Sequence, residues 1–366
     1  MPRSLSRETS LYLDAVRFAA ALTVFFGHFA THNLSGGLFW QMAPFRHDAV
    51  IVFFVLSGFV IAHAAEKSEH DLRTYAINRA ARLYSVVVPA ITITLLCDLI
   101  GGWFDPSYFT WDYSAGPLWQ QLVGSLSFTN QFWDAAQFPG SNGPYWSLGY
   151  EVPYYAVFAC AVFARGMWRY LLPALLLLAA GPTITSLFPL WLLGVAIYHL
   201  RHYLRLSERM GWVLFVAPMV VWSVIQFWAM HNHDWVLHDQ IPLLSRDRVP
   251  ADYITGLCFA VNVLGFNAIG HRFTRPLAFA ARAIRWMACN TFTLYLVHFP
   301  MMKLCVVLSP WDVAATGTRM LSLSATLIVV LVAAQLFERR KDGWRRVIAA
   351  LIPERAPTLM ASSTRA

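Results

Sequence analysis

The sequence predicts an all-α integral membrane protein: a bundle of about ten transmembrane helices with both termini cytoplasmic. Three observations predict it. The 366 residues have a mean hydropathy of +0.49 and only 13% charged residues, too apolar for an ordinary soluble domain. Apolar runs of spanning length recur along the whole chain. The cations alternate with those runs, gathering in every second connection.

The apolar stretches lie near 12–30, 48–65, 84–101, 145–164, 170–182, 184–200, 211–230, 251–270, 287–308 and 319–337. The first is preceded by MPRSLSRE, which superficially suits a signal peptide. Asp14 and Arg17 inside the apolar run do not, so the helix is expected to be retained. The fifth and sixth stretches are separated only by Gly181-Pro182-Thr183; one long helix there would reverse every later orientation. Charge decides against that. With the N-terminus inside, inner segments hold Arg3 and Arg7; Lys67, Arg73, Arg79 and Arg82; Arg165 and Arg169; Arg201, Arg205 and Arg209. They continue with Arg272, Arg275, Arg282 and Arg285, then Arg339 to Lys341, Arg345 and Arg346. Outer loops hold Arg46, Arg246 and Arg248, and the loop from Gly102 to Gly143 has Asp105, Asp112 and Asp134 without a cation. Residues 1–340 thus read as one membrane domain, and 341–366 as a short, basic, disordered cytoplasmic tail.

The +8 net charge needs no nucleic acid; it is the inner collar of a membrane protein in contact with anionic lipids. All five cysteines fall inside apolar stretches and form neither a disulfide framework nor a ligand set. HNHDWVLHD (His231–Asp239) has metal-ligating residue types but no recognised spacing, so no metal is expected. No Gly-x-Ser-x-Gly elbow occurs, which leaves a serine hydrolase without support.

Charges at membrane depth cost several kcal/mol and mark function or internal pairing. LDAVRFAAALTVFFGHFATH (Leu13–His32) carries Asp14, Arg17 and His28. Asp14 stands one turn before Arg17 and can pair with it. His28 follows Arg17 by eleven residues, about three turns and ~16 Å along the same face. An imidazole there can exchange a proton near neutral pH. The competing explanation is a polar clamp between helices.

The pattern Asp-x-x-Arg, ten residues, then His resembles the signature of the acyltransferase-3 family of membrane acyltransferases. Four further stretches match in order: FFVLSGFVI (Phe53–Ile61), NRAARLY (Asn78–Tyr84), PYWSLGYEVPYY (Pro144–Tyr155) and TFTLYLVHFP (Thr291–Pro300). The resemblance covers about Leu11 to Phe337. It implies transfer of an acyl group, most often acetyl, from cytoplasmic acyl-CoA to a hydroxyl of an envelope or exported carbohydrate. It further implies no permanently bound cofactor, a bacterial inner-membrane location, and a carbohydrate or glycolipid acceptor; a homo-oligomer is compatible with it.

Under that reading His28 is the base or the acyl carrier, by direct transfer or through an acyl-histidine. Arg17 supports the site or binds part of the donor, being too distant to touch the atom His28 serves. Arg79 and Arg82, three apart, would clamp donor phosphates, as guanidinium groups do; ordinary inner-face charge is the simpler alternative. Glu151, expected a few residues from the outer surface, would orient His28 or receive acceptor hydroxyls. Trp146 and Tyr155 would stack on sugar rings or form an interfacial belt. Tyr295 and His298 support the site, and Ser57-Gly58 marks a close helix contact. Two alternatives stay open. One is a transporter or flippase for a lipid-linked glycan. The other is a different membrane acyltransferase in which His298 is the catalytic residue.

Overall fold

The structure, a computed structural model, describes residues 5–107, 114, 116–133, 135–232 and 249–352; the side chains of 229–232 are not among those described. Among the described residues every regular element is a helix. In order these are α1 (Arg7–Phe29), the one-turn α2 (His32–Ser35), α3 (Phe45–Lys67), α4 (Leu72–Phe104), α5 (Leu118–Ser127), α6 (Leu148–Phe163) and α7 (Trp168–Ala180). They continue with α8 (Pro182–Tyr203), α9 (Glu208–Asn232), α10 (Val249–Ile269), α11 (Thr274–Ala288), α12 (Thr291–Leu308), α13 (Thr316–Leu336) and α14 (Lys341–Leu351). Each apolar stretch coincides with one helix, and eight segments are long and apolar enough to cross a membrane. The expected turn after α7 is real: Gly181 takes φ 93° and Pro182 opens α8, where its missing N–H costs nothing.

One end of the bundle is rich in arginine. Contacts there tie together the starts of α1, α9 and α11. Arg272 donates to both carboxylate oxygens of Glu208 (2.7 and 2.9 Å), and Thr274 reaches Glu8 at 3.1 Å. Asp71 caps α4 through the amide of Thr74; the Thr74 hydroxyl also donates to it, holding its carboxyl below the usual carboxylate range.

Three expectations need correction. First, the fourth and fifth apolar stretches are not full spans: α6 has 16 residues and α7 has 13, against about 20 needed. The end of the loop before them makes up the difference by entering the bundle, where Ser141, Asn142 and Tyr145 are fully buried. Non-helical backbone at that depth must be bonded by protein. Here the Gln121 amide donates to the Ser114 and Gly116 carbonyls, and its oxygen accepts from Gly140 N. Asp98 accepts from Ser141 N, and Trp133 N donates to Ala180 O at the end of α7. Asp112 and Asp134 of this loop lie outside the described residues, as does the His231–Asp239 cluster beyond Asn232.

Second, the inner segment 274–288 is the amphipathic helix α11, so the ninth span begins at Thr291. Third, the stretch from 341 onward, expected to be disordered, forms α14 as far as Leu351. It docks on α4, where Arg73 donates to the carbonyls of Ala349 and Ile352. The tail from 353 lies outside the described residues.

The tightest crossing joins α3 and α8. A Cβ on Gly58 would stand 2.0 Å from the Trp191 carbonyl oxygen, and one on Gly194 would stand 2.0 Å from that of Val55. The backbones therefore touch, as small residues permit between membrane helices. Gly58→Ala and Gly194→Ala should each destabilise the protein by about 1–3 kcal/mol or more, through overpacking against backbone that cannot yield. Thermal unfolding in detergent reads this directly.

Candidate active site

A cavity with about 770 Å³ of empty space, its mouth included, lies between α1, α3, α4, α6 and α12. Arg17, Arg79 and Arg82 all line it. Arg17 is paired with Asp14 at 2.9 Å, and Arg79 with the buried Glu69. Arg82 is exposed, with Arg17, Tyr155 and Glu338 as electrostatic neighbours. Three guanidinium groups from two helices thus converge on one space, and three carboxylates restrain their mutual repulsion.

Glu151 lines the same cavity. Ser57 Oγ donates to it at 2.6 Å, the Tyr155 hydroxyl donates to it as well, and Trp191 Nε1 donates to Ser57 at 3.2 Å. The sequence reading put Glu151 close to the outer surface. It lies deeper because α6 starts inside the bundle, after the buried loop. It shares that cavity with the three arginines. Ser57, read as part of a helix contact, is instead a ligand of Glu151, while its neighbour Gly58 makes the contact.

Tyr295 forms another wall of the cavity. Its hydroxyl donates to the Pro144 carbonyl (3.0 Å) and accepts from Ser147 (2.8 Å), which fixes α12 against the entering loop. One turn further along α12 is His298, fully buried. His298 Nε2 stands 3.1 Å from His28 Nδ1. The carbonyls assign the tautomers, since a ring nitrogen facing a carbonyl oxygen must carry the proton. His298 Nδ1 faces Leu294 O at 2.9 Å and donates to it. His28 Nδ1 faces Val24 O at 3.0 Å and donates between that oxygen and His298 Nε2. His28 Nε2 is left with its lone pair, the form a general base requires.

Arg46 lies within electrostatic reach of His28. A Cβ on Gly27 would stand 2.7 Å from that of Arg46, so α1 and the start of α3 are closely apposed beside the imidazole. The sequence reading counted Arg46 only as a stray outer charge.

The family model described as an acyltransferase domain matches residues 10–338. The chain belongs to the acyltransferase-3 family. It is 26% identical over 369 residues to the acyltransferase MdmB of Streptomyces mycarofaciens, with 90% of each chain covered. No solved structure matches it. The protein is therefore a membrane acyltransferase, and the matched region contains every site residue named from the sequence.

Those acyltransferase-3 stretches meet in two places. Arg17, Arg79, Arg82, Glu151, Tyr155 and Tyr295 share the cavity; His28 and His298 form the pair beyond it. Trp146 takes part in neither. Its ring stacks on His47 (6.0 Å, 10°), and His47 is bonded to the buried Asp252 at 2.9 Å.

Asn142 holds the two places in register. Pro300 has no N–H to offer the carbonyl four residues earlier. Asn142 Nδ2 donates to that carbonyl, Leu296 O, at 2.7 Å, and also to Thr94 Oγ1 at 3.0 Å. Asn142→Ala should cost about 1–3 kcal/mol for the carbonyl left bare and should lower turnover by loosening α12 beside His298. Unfolding midpoint and initial rate check the two effects; an unchanged midpoint would mean the carbonyl finds another donor.

Proposed function

We propose that this membrane acyltransferase moves an acyl group, acetyl in the first instance, from cytoplasmic acyl-CoA to a hydroxyl of an envelope or exported carbohydrate or glycolipid. The observation that carries this reading is the arginine-lined cavity whose Tyr295 wall stands one turn from the His28–His298 pair. In this reading the arginine-rich end faces the cytoplasm of a bacterial inner membrane, both termini included, as the positive-inside rule favours. Arg82, with Arg79 and Arg17, receives the donor phosphates, for which guanidinium is the better cation. The pantetheine arm then runs past Tyr295 along the ~16 Å that separate Arg17 from His28.

The step balances with the groups at hand. His28 Nε2 takes the proton of the acceptor hydroxyl as its oxygen attacks the thioester carbonyl. The imidazolium formed still donates through Nδ1 to His298 Nε2 and Val24 O, so its orientation holds. The tetrahedral intermediate collapses with cleavage of the C–S bond, and the thiolate recovers the proton as free CoA. Arg46, within electrostatic reach of His28, is the cation assigned to the oxyanion. Glu151, fixed by Ser57 and Tyr155, gives the cavity a carboxylate that can receive a hydroxyl. Trp146 on His47 offers an aromatic face to the acceptor.

Purified protein given labelled acyl-CoA and glycan should release CoA and form an ester. Glycan movement without any ester would sink this reading and favour a flippase. His28→Ala should lower kcat by about 10²–10⁴-fold with folding intact. His298→Ala should lower kcat by roughly 10–100-fold, about the worth of one hydrogen bond to the imidazolium, with little change in donor KM. If His298→Ala were the more damaging of the two, the catalytic assignment would pass to His298. Arg82→Ala should raise donor KM by roughly tenfold, about the worth of one charge-assisted contact.

A further inference from the structure

A second basic cavity lies at the same end of the bundle, outside the site described above. It holds about 1000 Å³ of empty space, mouth included, between the end of α8, the turn into α9, the last turns of α10 and Ser6 at the start of α1. Arg201 is its most informative wall. The residue is only 9% exposed, and its guanidinium lies 3.8 Å above the Tyr198 ring, with Phe59 at 5.5 Å. Stacking covers the face of a guanidinium but leaves its edge donors unsatisfied. Here Nη1 is buried and has no hydrogen-bond partner among the described residues. Leaving a buried charged donor unmade is costly, so an acceptor is called for.

The simpler account is that Arg201 and His202 only neutralise the carboxyl end of α8, where cations are favoured. Glu66, which shares Tyr198 with Arg201, adds a counter-charge nearby. Neither supplies a partner for Nη1. Nor does that account explain why Arg205, beyond the helix, lines the same cavity. The remaining walls are amphipathic: Leu204, Leu206 and Leu264 stand beside Arg201, Arg205 and Asn267, and no carboxylate is among the lining residues. An anionic head and an apolar tail fit such a wall together.

We infer that this cavity binds a phosphate group through Arg201 and Arg205, and that the phosphate is the headgroup of an anionic phospholipid whose chain lies on the leucine wall. Basic pockets between membrane helices at headgroup depth take such lipids. The site is independent of the acyl-transfer cavity and does not rest on the function proposed for it.

Native mass spectrometry of the purified full-length protein tests this with phosphatidylglycerol, phosphatidylcholine and inorganic phosphate as probes. Wild type should retain phosphatidylglycerol over phosphatidylcholine. Arg201→Gln and Arg205→Gln should each weaken that retention by about fivefold, which is what ~1 kcal/mol per basic residue amounts to. Arg345→Gln, on the surface helix α14, should leave it unchanged. Arg205 is exposed, so its variant stays informative if Arg201→Gln misfolds. If inorganic phosphate raises the melting temperature of wild type but not of Arg205→Gln, and lipid adds nothing, the same site takes a soluble phosphate. Equal retention of both lipids by wild type, or retention unaltered in both variants, overturns the inference.

Discussion

Everything in this molecule that brings its chemistry together depends on a carbonyl that cannot keep its helical partner. Within a bilayer a backbone oxygen without a donor has no water to turn to. Pro300 deprives Leu296 of that donor, and Asn142 supplies another from across the bundle. The consequence runs both ways. The loop carrying Asn142 is held at depth, so α6 begins inside the protein and brings Glu151 to the arginines. The helix carrying Leu296 is held against α4, so Tyr295 and His298 keep their places between the cavity and His28.

The two ends of the site divide the demands of acyl transfer. Phosphate recognition asks for several cations whose repulsion is contained, and Asp14, Glu69 and Glu338 contain it. Proton transfer asks for an imidazole with one nitrogen occupied and the other free, and the Val24 carbonyl and His298 provide that. Mixing the two would harm both, since a cation cluster beside His28 disfavours its protonation. The three helical turns between Arg17 and His28 keep them apart on a single helix.

The sequence made part of this legible. Hydropathy located every long helix, because spanning length and apolarity are local properties. Helical period placed Arg17 and His28 on one face at separate depths for the same reason. What stayed hidden depends on distant pairs. His28 and His298 are 270 residues apart, and no local pattern says that their rings meet. Glu151 was placed too shallow because a loop that enters the membrane reads, by composition, like one that stays outside. Its buried hub, Gln121, gave no signal. Ser57 and Gly58 looked like one motif and proved to be two. The arginine-rich segments that become α11 and α14 have the charge of ordinary inner loops, and only their helical period marks them as amphipathic helices.

The contact between Gly58 and Gly194 bears on how substrates could reach the site. Two backbones in touch cannot slide or part without losing their whole interface, so α3 and α8 behave as one stiff beam. Ser57, beside the contact, inherits that stiffness and passes it to Glu151. Any breathing that admits a bulky acceptor must therefore come from elements with looser seams. Glu151 carries that stiffness into α6, so the short α7 behind it, 13 residues with all but Ala180 at least partly exposed, is the element best suited to give.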